Sequence, residues 1–133
     1  MGYCFSVSKE QFSIAEAAQK PAIKALRDAY PDAKGMSLED FCEHERWHLN
    51  FDDEHDDVVG IEFWGEKLWN DFALFKALAP FVDAGSYIEC NGEEGEMWRW
   101  VFDGATCTEV RPTVTWPPLP LGEVVTEVAA KGG

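Results

Sequence analysis

One short motif has the residue types and spacing of a catalytic metal site, because residues 44–48 read His-Glu-Arg-Trp-His. On a helix, two histidines at this spacing lie on one face and bind zinc, and the glutamate acts as general base toward the bound water. The motif therefore predicts a zinc hydrolase that uses His44, Glu45 and His48. Four downstream side chains are available as the third ligand: Glu54, His55, Glu62 and Glu66.

The residues after the motif favour a strand rather than a continuing helix. Trp47, Leu49 and Phe51 alternate with polar residues, which is the pattern of a strand with one buried face. A strand that begins at Trp47 removes the helical relation between the two histidines. The metzincin extension is also missing, because positions 51 and 54 hold Phe51 and Glu54 rather than glycine and histidine. We therefore predict two solvated histidines at a helix–strand junction, with the zinc hydrolase as the alternative.

The same part of the sequence carries most of the negative charge. Residues 39–66 contain eleven Asp and Glu against one Arg, so −10 of the net −14 lies there. Such a surface attracts cations and basic proteins and repels nucleic acid. At its centre lies a polar turn whose carboxylates are Asp52, Asp53, Glu54, Asp56 and Asp57.

This turn resembles a calcium-binding loop in its alternating acids. The EF-hand pattern, however, needs glycine at position 57 and glutamate at position 63, where the sequence has Asp57 and Phe63. We interpret the run as a solvated turn. A metal- or small-molecule-binding accessory domain is kept as a further alternative.

Length and composition predict one folded domain. The chain has 133 residues, of which 46% are hydrophobic, and its nine Phe and six Trp supply a core. Intrinsic disorder pairs high charge with few aromatic residues, so it is not expected here. We predict a single domain over residues 1–116 and an extended tail containing Pro and Gly over 117–133.

Sequence signals of export or membrane insertion are missing. The N-terminus lacks the pattern of a signal peptide, and no apolar run approaches the length of a membrane span. The cysteines are widely spaced, which is typical of reduced thiols in a reducing compartment. We therefore predict a cytoplasmic protein that does not contact a membrane. The cysteines are Cys4, Cys42, Cys90 and Cys107.

The N-terminal third predicts two short strands and then helices. Alternating residues predict a strand over 3–7, and a turn leads to a second strand over 11–14. Apolar residues at helical spacing predict a helix over 21–29 with a proline in its first turn. Ser37 precedes Asp40 by three residues, the spacing of a capping box, so a short helix is expected to begin there.

The remaining residues predict a hairpin, a helix and a meander. The hairpin covers residues 46–63 and is followed by a helix over 69–81. Strands over 87–90, 97–102 and 106–110 are joined by turns that contain Gly. We therefore predict an α+β fold: an antiparallel sheet that includes this C-terminal three-stranded meander, with two or three helices on one face.

The tryptophans allow two interpretations, a core or a stacking platform for sugars or bases. We expect the core, because tryptophans at sheet and helix spacing usually lie there. Base stacking is expected least, because platforms for nucleic acid are rimmed with Lys and Arg. In the central strand of the meander, Arg99 lies between Met97 and Val101 on the face opposite to Trp98 and Trp100, where it is a candidate anchor for a protein contact. The tryptophans of the possible platform are Trp64, Trp69, Trp98, Trp100 and Trp116.

Several segments within residues 58–110 are similar to a group of small acidic bacterial and phage proteins. The resemblance implies that the Trp47 region is a strand leading into an acidic turn, and it implies no activity. The segments are Ile61–Phe63, Gly65–Leu68, Ala79–Val82, Gly85–Glu89 and Trp98–Phe102.

The charge pattern favours a non-enzymatic protein that binds a basic surface of another protein. Carboxylates on a rigid hairpin imitate a phosphate track and speed association with clefts rich in Lys and Arg. We predict an inhibitor of one of two kinds. It is either an anti-CRISPR-like phage protein that mimics nucleic acid and binds a nucleic-acid-binding enzyme, or a toxin-immunity protein. No cofactor and no direct nucleic-acid contact are predicted.

The predicted contact residues fall into three sets. The first is the turn at residues 52–57, and the second is the turn at residues 93–96, provided that both turns lie at one end of the sheet. The third is Arg99. The residues are Asp52, Asp53, Glu54, Asp56, Asp57, Glu93, Glu94, Glu96 and Arg99.

Overall fold

The computed structural model describes residues 3–65, 67–68 and 70–118, with only the backbone described at positions 3, 67 and 68. The predicted α+β fold is confirmed, whereas Glu66, Trp69 and most of the predicted tail lie outside the described residues. The elements in chain order are β1 (Tyr3–Gln11), α1 (Glu16–Ala29), α2 (Leu38–His44), β2 (Trp47–Phe51), β3 (Val58–Phe63), β4 (Lys67–Leu68), α3 (Asp71–Leu78), β5 (Tyr87–Gly92), β6 (Met97–Phe102) and β7 (Cys107–Val110).

The strands form two antiparallel sheets. One has five strands in the order β4-β1-β5-β6-β7, and the other consists of β2 and β3. An isolated bridge between Ile14 and Val58 links β3 to the chain just after β1. The predicted hairpin and the predicted C-terminal meander are therefore confirmed. The single domain over residues 1–116 stays a prediction.

The core lies between the inner face of the five-stranded sheet and the elements that cover it. Trp100 of β6 is buried, and its ring centroid lies 5.3 Å from that of Phe75 in α3 and 6.3 Å from that of Trp47 in β2. Trp98 and Phe102 are buried on the same side. The prediction that Trp98 and Trp100 share one face is confirmed, and the core interpretation holds for both.

The predicted turn at residues 8–10 is wrong, because β1 runs without interruption to Gln11. Its pairing with β5 shifts register between Val7 and Lys9, which makes Ser8 the extra residue of a β-bulge. The Ser8 hydroxyl donates to the Glu89 carboxylate at 3.1 Å. The polar residues that predict a turn therefore lie at a bulge within one continuous strand.

The predicted bounds of the first helix are also wrong at the N-terminus, since α1 begins at Glu16 and contains Pro21 in its interior. The prediction for α2 is confirmed, because Ser37 caps it by accepting the N–H of Asp40 at 3.1 Å. The third predicted helix corresponds to α3, followed by a 3-10 turn over Ala79–Phe81. Phe75 of α3 packs against Trp100 and Phe102 on the inner face of β6, so α3 covers this face of the sheet.

Candidate functional site

The acidic turn, Asp52–Asp57, divides into carboxylates that hold the turn and carboxylates that face solvent. Asp53, Glu54 and Asp56 are exposed. Asp52 and Asp57 are partly buried, and the backbone N–H of Asp52 donates to the carbonyl of Asp57 at 2.8 Å. A hydrogen bond from His55 and then one from the N–H of Glu54 lower the pKa of Asp52. Three of the five predicted contact carboxylates are therefore presented to solvent.

Asp57 connects the acidic turn to α1. Its Oδ1 accepts a hydrogen bond from the backbone N–H of Glu16 at 2.7 Å. The N-cap residue of α1 is Ala15, whose methyl group cannot accept such a bond. Gln19 of α1 also donates to the carbonyl of Asp56 at 2.8 Å. A carboxylate satisfies the unpaired N–H groups at a helix start and interacts favourably with the helix dipole. This long-range cap explains why α1 starts five residues before its prediction.

Replacement of Asp57 by alanine is expected to lower the free energy of unfolding by about 1 kcal/mol, the typical cost of losing an N-cap. The measurement is chemical denaturation followed by circular dichroism. Asp53→Ala removes an exposed carboxylate from the same turn and serves as the matched control, with little expected change. Equal stability of the two variants would contradict the capping role of Asp57.

The residues of the H-E-x-x-H motif fall on different elements. His44 ends α2, Arg46 has a left-handed backbone with φ of 76°, and His48 lies in β2. His44 Nδ1 lies 3.2 Å from the Glu45 carboxylate, whereas His48 Nδ1 lies 2.9 Å from that of Glu43. The predicted change from helix to strand is confirmed. Within the described parts of the chain, no three His, Cys, Asp or Glu side chains are grouped to hold a metal ion.

Trp64, which the sequence assigned to the core, is exposed over 62% of its surface. Its indole stacks on the imidazole of His48 with a centroid distance of 4.0 Å and an interplanar angle of 7°. Nε1 of Trp64 makes a long hydrogen bond of 3.5 Å to Glu62, which also accepts from Asn50 at 3.1 Å. We call Glu43, His48, Asn50, Glu62 and Trp64 the hairpin surface.

The backbone fixes the position of Trp64. Its N–H donates to the carbonyl of Arg46 at 2.8 Å, which extends the β2–β3 pairing by one residue. A Cβ added to Gly65 would lie 2.7 Å from Cζ of Phe63, so a larger residue at this position would require the Phe63 ring to shift. The exposure of Trp64 could have been predicted from strand alternation, because Phe63 contacts the core and the next side chain along a strand points outward. The core prediction is also wrong for Trp116, which is 83% exposed.

The two predicted acidic patches lie at opposite ends of β1. The acidic turn directly precedes Val58, which pairs with Ile14 beyond the C-terminal end of the strand. Glu93 instead lies at the start of the strand, where its carboxylate accepts the N–H of Cys4 at 2.7 Å. The strand between Cys4 and Gln11 alone separates these ends by about 23 Å, at about 3.3 Å per residue. The condition that both turns share one end of the sheet is not met, so Glu93, Glu94 and Glu96 do not join the acidic turn.

Arg99 lies on the outer face of the sheet, opposite to the face that β2 covers. Its Nε donates to Glu89 Oε1 at 2.8 Å, and its guanidinium lies 5.3 Å from the centroid of the Tyr87 ring. Hydrogen bonds from Arg99 and then Ser8 lower the pKa of Glu89. The structure therefore separates Arg99 from both the acidic turn and the hairpin surface.

The buried cysteines are poorly suited to nucleophilic chemistry. Cys42, Cys90 and Cys107 are buried free thiols, and burial raises the pKa of each to about 12. A thiol with such a pKa is protonated at neutral pH, whereas the thiolate is the nucleophile.

None of the helices that the structure describes is both long and apolar enough to cross a membrane. No protein-family model matches the chain, and no curated protein or solved structure matches it. The fold and the site define an α+β protein in which the exposed indole of Trp64 lies beside the carboxylate of Glu62. The resemblance of residues 58–110, the cytoplasmic location and the partner remain predictions.

Proposed function

We propose that this protein is an acidic, non-enzymatic inhibitor that binds a basic surface of a partner protein through the hairpin surface and the adjoining acidic turn. The observation that carries the proposal is Trp64, an exposed indole held in place by His48 and Glu62. Tryptophan is among the residues most enriched in binding hot spots. The flat indole also attracts Arg and Lys side chains through cation–π interaction.

The charge around Trp64 favours a cationic partner. Glu62 and Glu43 lie on the hairpin surface, and the exposed Asp53 and Glu54 lie at the tip of the same hairpin. Carboxylates arranged in this way steer a basic protein toward the indole and raise its association rate. Two kinds of inhibitor use such chemistry: a phage anti-defence protein that occupies a nucleic-acid groove, and an immunity protein that covers the basic site of a nuclease toxin.

Trp64→Ala is expected to weaken partner binding by about thirtyfold or more, the effect of truncating a hot spot. The partner is first captured from a bacterial lysate with the wild-type protein, and dissociation constants are then measured with purified components. Trp116→Ala is the matched control, because Trp116 is even more exposed but lies after β7, outside the described helices and strands. Equal affinities of the two variants would refute the assignment of Trp64.

Charge reversal tests the acidic turn separately. Asp53→Lys combined with Glu54→Lys leaves the Asp57 cap intact and is expected to slow association by about tenfold and to flatten its salt dependence. Asp28→Lys combined with Asp32→Lys makes the same charge change at exposed positions outside the hairpin. If both double variants slow association equally, the net charge rather than the turn steers the partner.

A further inference from the structure

Strand β7 forms one edge of the five-stranded sheet. One of its sides pairs with β6, and no strand among the described residues pairs with its other side. The chain stays accessible beyond the strand, because residues 111–118 are all exposed. An open strand edge carries a row of N–H and C=O groups that can pair with another chain. The question is which chain fits this edge.

The register of β6 with β7 determines which backbone groups face the open side. Asp103 donates its N–H to the carbonyl of Thr106 at 3.2 Å, so these two residues form a hydrogen-bonded pair. Hydrogen-bonded and non-hydrogen-bonded pairs alternate along an antiparallel ladder. Val110 therefore bonds to β6, whereas the N–H and C=O groups of Cys107 and Glu109 point toward the open side.

The proline just beyond β7 does not block this edge. An extension of β7 by three residues would direct the backbone groups of Arg111 and Thr113 toward the open side and the nitrogen of Pro112 toward β6. Proline disrupts strand pairing only where its missing N–H is needed for the ladder. The outward positions from 107 to 113 therefore all carry an N–H donor.

The charges of the edge are complementary to those of a second copy. A two-fold axis through Val110 places Glu109 of one copy opposite Arg111 of the other, twice in each pair. Opposite charges in such positions stabilise antiparallel strands, whereas an axis through Glu109 would set two carboxylates against each other. Within one chain, Glu109 and Arg111 form an ion pair of 2.9 Å and are 30% and 57% exposed, so both are accessible to a neighbour.

The remaining features of the edge also favour a second copy. Residues 104–118 contain one acid and one base, so this stretch is neutral in a chain of net charge −14, and two copies repel each other least here. Val110 is 40% exposed, and Met97, on the same face of the neighbouring strand, is 41% exposed. The axis sets the two Val110 side chains against each other as a non-hydrogen-bonded pair, in which side chains lie closest.

We propose that two copies of this protein pair through the open edge of β7, antiparallel about a two-fold axis at Val110 and over residues 107–113. The two five-stranded sheets then form one continuous sheet. The proposal is independent of the function proposed for the hairpin surface. That surface adjoins the other side of the sheet, because β3 is bridged to Ile14 just after β1, and β5 and β6 lie between β1 and β7.

Disulfide trapping tests the register. Cys4, the one native thiol that is not buried, is first replaced by serine. Val110→Cys is then expected to give a disulfide-linked dimer on oxidation with glutathione disulfide, because the two Cα atoms of this pair lie about 4.5 Å apart. Thr108→Cys, exposed on the same face, is the matched control. Its two copies lie four residues apart along the strands, about 13 Å, which is too far for a disulfide. Equal cross-linking of the two variants, or none, would overturn the proposal.

Charge reversal tests the same edge without cysteines. Sedimentation equilibrium is expected to show a dimer of the wild-type protein, and Arg111→Glu should weaken it by about tenfold or more, because two attractive cross-strand pairs become repulsive. Lys24→Glu makes the same charge change at an exposed position of α1 and should leave the dimer unchanged. Circular dichroism establishes that both variants are folded. A wild-type protein that is monomeric at about 100 μM, or equal dimerisation of the two variants, would refute the pairing.

Discussion

Trp47→Ala is expected to lower the free energy of unfolding by about 3–5 kcal/mol, the range seen when a large buried aromatic side chain is removed. Trp47 has no exposed surface, and its ring centroid lies 4.8 Å from that of Phe63 and 4.9 Å from that of Phe75. Its removal leaves a cavity where β2, β3 and α3 meet. The measurement is denaturant unfolding followed by far-ultraviolet circular dichroism.

Trp116→Ala is the control for this experiment, because Trp116 is 83% exposed and its loss is expected to change stability by less than about 0.5 kcal/mol. Small domains are stabilised by only about 5–15 kcal/mol in total. Trp47→Ala therefore removes a large share of the stability and should also lower the unfolding temperature. A loss below about 1 kcal/mol would show that Trp47 does not hold the hairpin on the core.

The second large effect is expected from Asp71→Ala, which should destabilise the fold by about 3–5 kcal/mol. Asp71 is only 3% exposed. One carboxylate oxygen accepts the indole N–H of Trp47 at 3.2 Å, and the other accepts from Arg46 Nη2 at 3.1 Å. Alanine removes this acceptor from a buried indole and a half-buried guanidinium. Denaturant unfolding again gives the free energy directly.

Asp71→Asn separates the contribution of hydrogen bonding from that of charge. Asparagine keeps one acceptor oxygen, so this variant should lose less stability than Asp71→Ala. The exposed Asp28→Ala is the control for removal of a carboxylate from a helix, with little expected change. A loss for Asp71→Ala as small as that for Asp28→Ala would mean that the Arg46 and Trp47 contacts contribute nothing. Combining Asp71→Ala with Trp47→Phe measures the coupling of the pair.

Local patterns were sufficient for most of the fold. Strand alternation located β2, β3 and β6, and the Ser37 cap located α2, because these signals act between residues close in sequence. The start of α1 could not be predicted in this way. It depends on Asp57, which lies 41 residues further along the chain. Likewise, the bulge at Ser8 is visible only once β5 is paired with β1.

The candidate site was predicted less well than the fold. Charge alone pointed to the acidic turn, but only contacts distinguish Asp57, which caps a helix, from Asp53, which faces solvent. The expectation that tryptophans at sheet spacing lie in the core is wrong for Trp64, whose position directly after Phe63 in an alternating strand indicates the outer face. The separation of Glu93 from the turn follows from contacts at opposite ends of β1, which a sequence pattern does not determine.

The hydrogen bonds that tie the acidic turn to α1 have a consequence for the entropy of binding. A free loop of six residues would lose backbone freedom when a partner immobilises it, at roughly 1–2 kcal/mol per residue. Here Asp57 and Gln19 already anchor the turn to a helix. A partner that contacts Asp53 and Glu54 therefore restricts mainly side-chain rotamers and little of the backbone. The entropy cost of binding is smaller, so it offsets less of the attraction between opposite charges.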